Sequence, residues 1–238
     1  MIRTELFKLR THRTPWMLLA NLVAALVVAP IYYAIKEPAA ANDVVETFVG
    51  VFGGVAPMLG TVLGGWIVGH EYRQGTLRRV IGNDARRTRL IATKGGVALA
   101  AMAGGLVAAA GVGARASAAS GASFDGSIEW DGVVRDLLSG GVLTGVTASI
   151  AFSLSILFRS DTYGMLGALG IMVIVGPLLT LTPRVGKYTP SALGEDVSQW
   201  IAGADELVVS IVPASLGLAA TRGALVVAAT AAFQRRDV

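Results

Sequence analysis

Long apolar segments separated by short polar ones dominate this sequence and limit what it can fold into. Of its 238 residues, 53% are hydrophobic and only 15% are charged, whereas about a quarter are charged in ordinary soluble domains. An apolar run of about 20 residues is long enough to cross the hydrocarbon core of a bilayer as a helix. The sequence therefore predicts an all-α polytopic membrane protein with a single transmembrane domain over residues 1–238.

Six segments have the length and apolar character of membrane spans. They cover residues 15–35, 47–69, 95–113, 132–158, 162–181 and 214–233. Residues 36–46 and 114–131 are predicted to be polar loops, residues 159–161 a short turn, and residues 182–206 a polar region with room for a surface helix.

The start of the last span is open. Residues 207–233 exceed one crossing and contain Arg222, which would be costly at mid-bilayer without a partner. We expect a surface or re-entrant helix before a true span that begins near Ala214, an arrangement that can bring Arg222 near the outer surface.

The first 14 residues have the pattern of a short amphipathic helix. Ile2, Leu6 and Leu9 recur at helical spacing, and basic residues that include Lys8 and Arg10 cover the remaining surface. Such a helix lies in the headgroup layer before the chain enters the membrane. The alternative is a frayed basic tail.

The distribution of charge predicts the orientation. The N-terminus, residues 70–94, the turn at 159–161 and residues 234–238 fall on one side of the six-span topology and carry 14 of the 20 Lys and Arg residues. Positively charged loops stay on the cytoplasmic side. Both termini are therefore predicted to be cytoplasmic.

The basic segment, Gly69–Lys94, holds seven of those 20 residues. Its inner part, Gln74–Ile81, is predicted to form a helix with an apolar patch, followed by a turn and a second basic helix from Ala85. The simpler interpretation is that these arginines set the topology and bind anionic lipid headgroups. We favour a docking surface, because topology needs only a few charges. Glu71, at the membrane boundary, is expected to pair with Arg73 or Arg78.

Three motifs in the chain resemble those of the permease subunits of bacterial ABC-2 type transporters. They are Gly69-His70-Glu71-Tyr72-Arg73-Gln74-Gly75-Thr76-Leu77-Arg78, Arg87-Thr88-Arg89-Leu90-Ile91-Ala92-Thr93-Lys94 and Phe233-Gln234-Arg235-Arg236-Asp237-Val238. The order of the motifs, the number of spans and the N-terminal basic helix also fit that family. Asn83-Asp84 stands where the family often has proline.

The resemblance implies a membrane subunit of the bacterial plasma membrane that pairs with a second copy or a homologue and binds two ABC ATPase subunits. Residues 1–14 would be the elbow helix, with Leu6, Lys8 and Arg10 at the ATPase. Tyr72–Ile81 would be the coupling helix. The residues implied in ATPase coupling are Glu71, Tyr72, Arg73, Gly75, Thr76, Leu77, Arg78 and Arg79.

The sequence offers no chemistry of its own for ATP. It lacks a G-x-x-x-x-G-K-[ST] phosphate loop, and the nearest approximation, Gly186-Lys187-Tyr188, has no Ser or Thr at the needed place. There is no cysteine, and the two histidines and the acids form no metal-ligand or catalytic pattern. We expect no enzyme activity, metal, cofactor or nucleic-acid partner in this chain; ATP and Mg²⁺ would be bound by the partner ATPase.

The transport path is predicted to run along the second and fifth spans, with Thr61, Thr180 and Thr182 as its hydroxyls. Each of these threonines has the alternative of bonding to its own helix backbone. An apolar lining favours an amphipathic or lipid-like cargo, such as a drug, an antibiotic or a lipid. The competing interpretation is an ATP-independent channel, secondary transporter or membrane scaffold, which the scarcity of ionisable residues within the spans disfavours.

Overall fold

The computed structural model describes residues 2–36, 41–75, 87–120, 130–182, 186–203 and 209–235, which contain helices and no strand. This confirms the all-α class. The α-helices are α1 (Ile2–Thr11), α2 (Arg13–Lys36), α3 (Ala41–Gln74), α4 (Arg87–Ser120), α5 (Trp130–Phe158), α6 (Asp161–Gly170), α7 (Gly176–Thr180), α8 (Pro190–Ala202) and α9 (Ile211–Arg235). A π-helical turn, Ile171–Val175, connects α6 to α7, and a 3-10 turn, Gly186–Tyr188, precedes α8.

Four helices in the described part of the chain are long and apolar enough to cross a membrane, which indicates a membrane protein. The qualifying stretches are Val49–Gln74, Arg89–Ala108, Trp130–Phe158 and Ile211–Phe233. The first and fifth predicted spans fall on shorter apolar stretches, Arg13–Val28 and Asp161–Val175. The structure thus supports four of the six predicted spans by length and composition.

Two of the predicted loops are partly helical. Helix α3 begins at Ala41, inside the predicted loop 36–46. Helix α4 continues to Ser120, through the first part of the predicted loop 114–131. Its last turns are rich in alanine, the strongest helix former. The predicted spans stop where the sequence becomes polar, but the helices continue into those polar residues.

The last long helix begins close to the predicted start of the last span. Helix α9 runs without interruption from Ile211 to Arg235 and begins three residues before Ala214. Helix α8 precedes it where a surface helix was allowed for, and Leu193 of α8 is 1% exposed because it packs between α5 and α9. Arg222 therefore lies in the middle of a continuous helix, not near its end.

Two Gly-xxx-Gly pairs on α3 allow two other helices to approach its backbone closely. A Cβ atom on Gly64 would lie 2.3 Å from the carbonyl oxygen of Ala148 in α5, and one on Gly69 would lie 2.3 Å from the backbone of Asp161 in α6. Small residues at such positions let backbones pack together. Gly60 and Gly64 thus face α5, whereas Gly65 and Gly69 face α6.

A hydroxyl layer joins α3 to α5 at mid-height. Pro57 lies inside α3, and its carbonyl oxygen accepts hydrogen bonds from the hydroxyls of Thr61 and Thr147, both at 2.9 Å. Thr61 is fully buried and has the backbone partner that was one of its two predicted interpretations. The hydroxyl of Thr147 contributes the bond between the two helices.

The described parts of the segments that the charge pattern assigned to one side meet at one end of the bundle. Trp66 of α3, Leu90 of α4, Ile156 of α5 and Phe233 of α9 share one buried cluster there, with Leu9 of α1 packed against it. We call this region the basic end: it comprises α1, the last turn of α3, the first turns of α4, the Arg159–Asp161 turn and Phe233.

Candidate functional site at the basic end of the bundle

Four charged side chains from three helices form a buried ring at the basic end. The Nζ atom of Lys94 lies 2.7 Å from Oε1 of Glu71 and 3.0 Å from Oε1 of Glu5. The Nζ atom of Lys8 lies 3.0 Å from the same oxygen of Glu5 and also contacts Oε1 of Glu71. Two carboxylates and two ammonium groups alternate, so the charge ring (Glu5, Lys8, Glu71 and Lys94) is neutral overall.

The charge ring is shielded from solvent on most sides. The side chains of Lys94, Glu71 and Glu5 are 1%, 5% and 8% exposed, whereas that of Lys8 is 32% exposed. Burial lowers the pKa of Lys8, but the hydrogen bonds and charges of Glu71 and Glu5 outweigh it, and the pKa is raised above its ordinary value. Lys8 therefore stays protonated at neutral pH. The ring ties α1 to both α3 and α4.

Glu71 is paired, but its partners differ from those expected. The prediction was Arg73 or Arg78, residues near it along the chain. Arg78 lies outside the described residues, and Arg73 turns instead to Asp161, with Nη1 3.2 Å from Oδ2. Lys8 and Lys94 are 63 and 23 residues away in sequence, which is why local spacing did not reveal them. The Oε2 atom of Glu71 is buried and has no hydrogen-bond partner in the described part of the chain.

A cluster of three aromatic rings fixes the corner between α1 and α2. His12 is the one residue between the two helices, and its ring packs edge-on against His70 and Trp66 of α3, with centroids 4.8 and 5.5 Å apart. Trp16 adds a second contact by donating an indole hydrogen bond to the carbonyl oxygen of Arg10 at 2.9 Å. The direction in which α1 leaves α2 is thus set by packing against α3.

Gly75 ends α3 at the beginning of the predicted coupling segment. Its φ angle is +65°, in the left-handed region that glycine adopts without strain, and this is a common way for a helix to end. Its N–H donates to the carbonyl oxygen of Tyr72 at 3.2 Å. Tyr72–Gln74 is the last turn of α3, and the part of the predicted coupling helix that follows Gly75 lies outside the described residues.

The predicted site residues are only partly brought together. Glu71 and Lys8 meet in the charge ring, Tyr72 is half-buried, and Arg73 is exposed and paired with Asp161. On α1, Leu6 and Arg10 are exposed. Thr76, Leu77, Arg78 and Arg79 lie outside the described residues, as does most of the helix predicted over Gln74–Ile81.

The three threonines of the predicted path lie on different parts of the fold. Thr61 is buried between α3 and α5, Thr180 is the last residue of α7, and Thr182 follows it as an exposed residue. Two large apolar cavities occur in the described part of the chain, and neither Thr61 nor Thr182 lines either of them. The cavities lie instead among α1–α4 and between α4, α5 and α9.

Sequence reasoning missed several residues of this site. Glu5, Lys94 and Asp161 were not assigned partners, and His12, His70 and Trp66 were not assigned a role. A usable signal existed for Lys94, which stands beside an apolar run that continues into α4. A charge at such a boundary needs a partner, and Glu71 at the end of the preceding span had the same need.

Comparison with known proteins adds no identification. No model of a known protein family matches the chain, and no curated protein is significantly similar to it in sequence. Among the described residues, no group of three or more His, Cys, Asp or Glu side chains is arranged to hold a metal ion.

Proposed function

We propose that this chain is the membrane permease subunit of an ATP-driven exporter of the ABC-2 type. It would move an amphipathic or lipid-like molecule across the bacterial cytoplasmic membrane by alternating access, powered by a separate ATPase. The observation that carries the proposal is the charge ring, which joins α1 to the two helices that flank the basic segment. The three sequence motifs and the shared position of these elements at the basic end support the same interpretation.

The charge ring gives a physical reason for coupling. Glu5 and Lys8 belong to α1, Glu71 to α3 and Lys94 to α4, and removing one member would leave a buried charge without its counter-ion. A push on α1 or on the basic segment is therefore transmitted to both helices. Because α3 packs closely on α5 and α6 through its glycines, the motion would reach the centre of the bundle.

The surface of the basic end suits a docking partner that carries acidic groups. Its acids Glu5, Glu71 and Asp161 are buried, whereas many of its arginines are exposed. The exposed arginines in the described part of the basic end are Arg3, Arg10, Arg73, Arg89 and Arg159, and Arg13 at the start of α2 is exposed as well. We place the ATPase on this face, with both termini in the cytoplasm, as the positive-inside rule predicts.

The test is co-purification followed by a coupling assay. A tagged copy of the chain, expressed in its own host, is expected to bring down an ABC ATPase, and the complex in liposomes should hydrolyse ATP. Glu71→Gln is expected to uncouple transport from hydrolysis while the protein remains in the membrane. Arg115→Ala, which changes an exposed arginine on α4 away from the basic end, serves as the matched control. A wild-type preparation that never contains an ATPase would overturn the proposal.

One observation favours an ATP-independent transporter as the second candidate. Arg222 lies at the middle of α9, and ionisable residues at that depth commonly mark ion or substrate pathways. However, arginine does not lose its proton in proteins, so Arg222 cannot serve as a proton relay. Transport by purified chain alone, driven by an ion gradient without ATP, would establish this alternative.

A further inference from the structure

A cavity of about 640 Å³ lies between α4, α5 and α9 and is not part of the charge ring. Its walls are almost entirely apolar side chains and glycines, and it has a single charged group, Arg222. Volumes of about 300–1,000 Å³ are typical of pockets for drug-sized ligands. The cavity therefore has the size and lining of a site for an amphiphile.

Arg222 lies at the middle of the apolar stretch of α9 and borders this cavity. Eleven residues separate it from each end of the apolar stretch Ile211–Phe233, or about 16 Å of helix on each side. The guanidinium packs beside Gly145 of α5, where a Cβ atom would come 3.7 Å from Nη2 of Arg222, an ordinary van der Waals contact.

The guanidinium has no counter-ion in the described part of the chain. Its Nε and Nη2 atoms are buried and have no hydrogen-bond partner there. Helix α9 contains no acidic residue, and none lines the cavity. Thr144, the one hydroxyl on the cavity wall, donates its proton to the carbonyl oxygen of Gly140 at 2.7 Å.

An unpaired arginine at this depth is costly. Arginine is among the least favourable residues at the centre of a membrane helix on every insertion scale. The residue cannot escape the cost by losing its proton. A carboxylate or phosphate can accept two parallel hydrogen bonds from a guanidinium, and an apolar chain attached to that anion would fill the remaining space.

We propose that this cavity binds an amphiphile with one anionic headgroup, held at Arg222, and one apolar tail along α4 and α5. The headgroup is a carboxylate or a phosphate. The site is built from this chain alone and does not depend on the proposed ATPase, so its test needs no ATP.

Binding is measured on the full purified chain in nanodiscs of phosphatidylcholine, with a dansyl-labelled fatty acid as the fluorescent probe and empty nanodiscs as the blank. Oleate, oleyl phosphate and the neutral oleyl alcohol compete for the probe. At least one of the two anions is expected to displace it at a concentration at least tenfold lower than the alcohol. Which anion is the stronger competitor identifies the headgroup, and equal competition by all three would overturn the proposal.

Variants distinguish the contribution of the Arg222 charge to binding from that of the apolar cavity. Arg222→Leu removes an unpaired buried cation, so it is expected to fold, to bind oleyl alcohol as before and to lose the preference for anions. Arg222→Lys should keep part of that preference, and Arg115→Leu should keep all of it. Ala103→Phe fills the cavity wall and should weaken every competitor.

Two outcomes of the variant series would contradict the site. An anion preference that survives in Arg222→Leu would place the binding elsewhere. A change in oligomeric mass in Arg222→Leu, without any change in competition, would assign the guanidinium to an interface between two copies of the chain.

Discussion

Replacing Lys94 by methionine removes one member of the charge ring while keeping the length of the side chain. Lys94 is 1% exposed and contacts both carboxylates of the ring, at 2.7 and 3.0 Å. At an effective dielectric constant of about 20, each contact contributes about 6 kcal/mol of attraction, and desolvation offsets several kcal/mol for each ion. Breaking a buried ion pair on one side typically costs about 3–5 kcal/mol, and we expect that loss of stability for Lys94→Met.

The second variant of the series is Glu71→Gln, alone and combined with Lys94→Met. Each single change leaves the ring with one unbalanced charge, whereas the double change leaves Glu5 and Lys8 as a neutral pair. The double variant should therefore lose less stability than the two single variants together. The coupling free energy between contacting residues is expected to be about 1–3 kcal/mol.

The assay is equilibrium unfolding in mixed micelles with a rising fraction of SDS, followed by tryptophan fluorescence. Arg115→Met, an exposed cation of the same helix, is the control and should change the free energy of unfolding by no more than about 0.5 kcal/mol. The assignment of a buried ring would be refuted if Lys94→Met changed the free energy of unfolding by only about 0.5 kcal/mol. It would also be refuted if the effects of the two ring substitutions were strictly additive.

Two further predictions concern the α3 interface and the pH dependence of α1. Gly64→Ala should destabilise the protein by about 1–3 kcal/mol in the same unfolding assay, because its Cβ atom would meet the backbone of α5. Gly96→Ala, where nothing lies within 4 Å of the added Cβ atom, is the control and should be neutral or stabilising. A larger loss of stability for Gly96→Ala than for Gly64→Ala would contradict the packing of α3 on α5. The pKa of Lys8 is raised above 10.5 in the folded protein, so its stabilisation of α1 is fully present below about pH 10.5 and is lost as the pH rises through the higher folded value. Spin labels can be attached at Arg3→Cys and Ala92→Cys without competing sites, because the chain has no cysteine. The distance between the two labels should stay constant up to pH 10 and increase above the folded pKa of Lys8. An increase between pH 7 and 9 would argue against Lys8 as the residue that holds α1 in place.

The helical class and the long apolar helices could be predicted because they depend on composition and local order. The ends of the helices could not, since hydropathy marks where polarity begins and not where the backbone stops being helical. Helix α4 illustrates the difference: its alanine-rich last turns are polar enough to end a predicted span, yet they remain helical to Ser120.

The side-chain partners in the candidate site also could not be predicted from the sequence. The sequence showed that Glu71 needs a partner, because an unpaired carboxylate at a membrane boundary is costly. Its actual partners come from α1 and α4, and only the packing of three helices brings them together. Likewise, only the packed structure shows that Gly64 faces α5 and Gly69 faces α6.

The most direct test of the central claim is a photo-crosslink from the basic end. A benzoylphenylalanine at Gln74, the exposed last residue of α3, is activated in cells of the native host, with the same group at Arg115 as the control. The account predicts a covalent adduct between the chain and an ABC ATPase from position 74 and none from position 115. Adducts with lipid alone at position 74, or the same protein adduct from both positions, would contradict it.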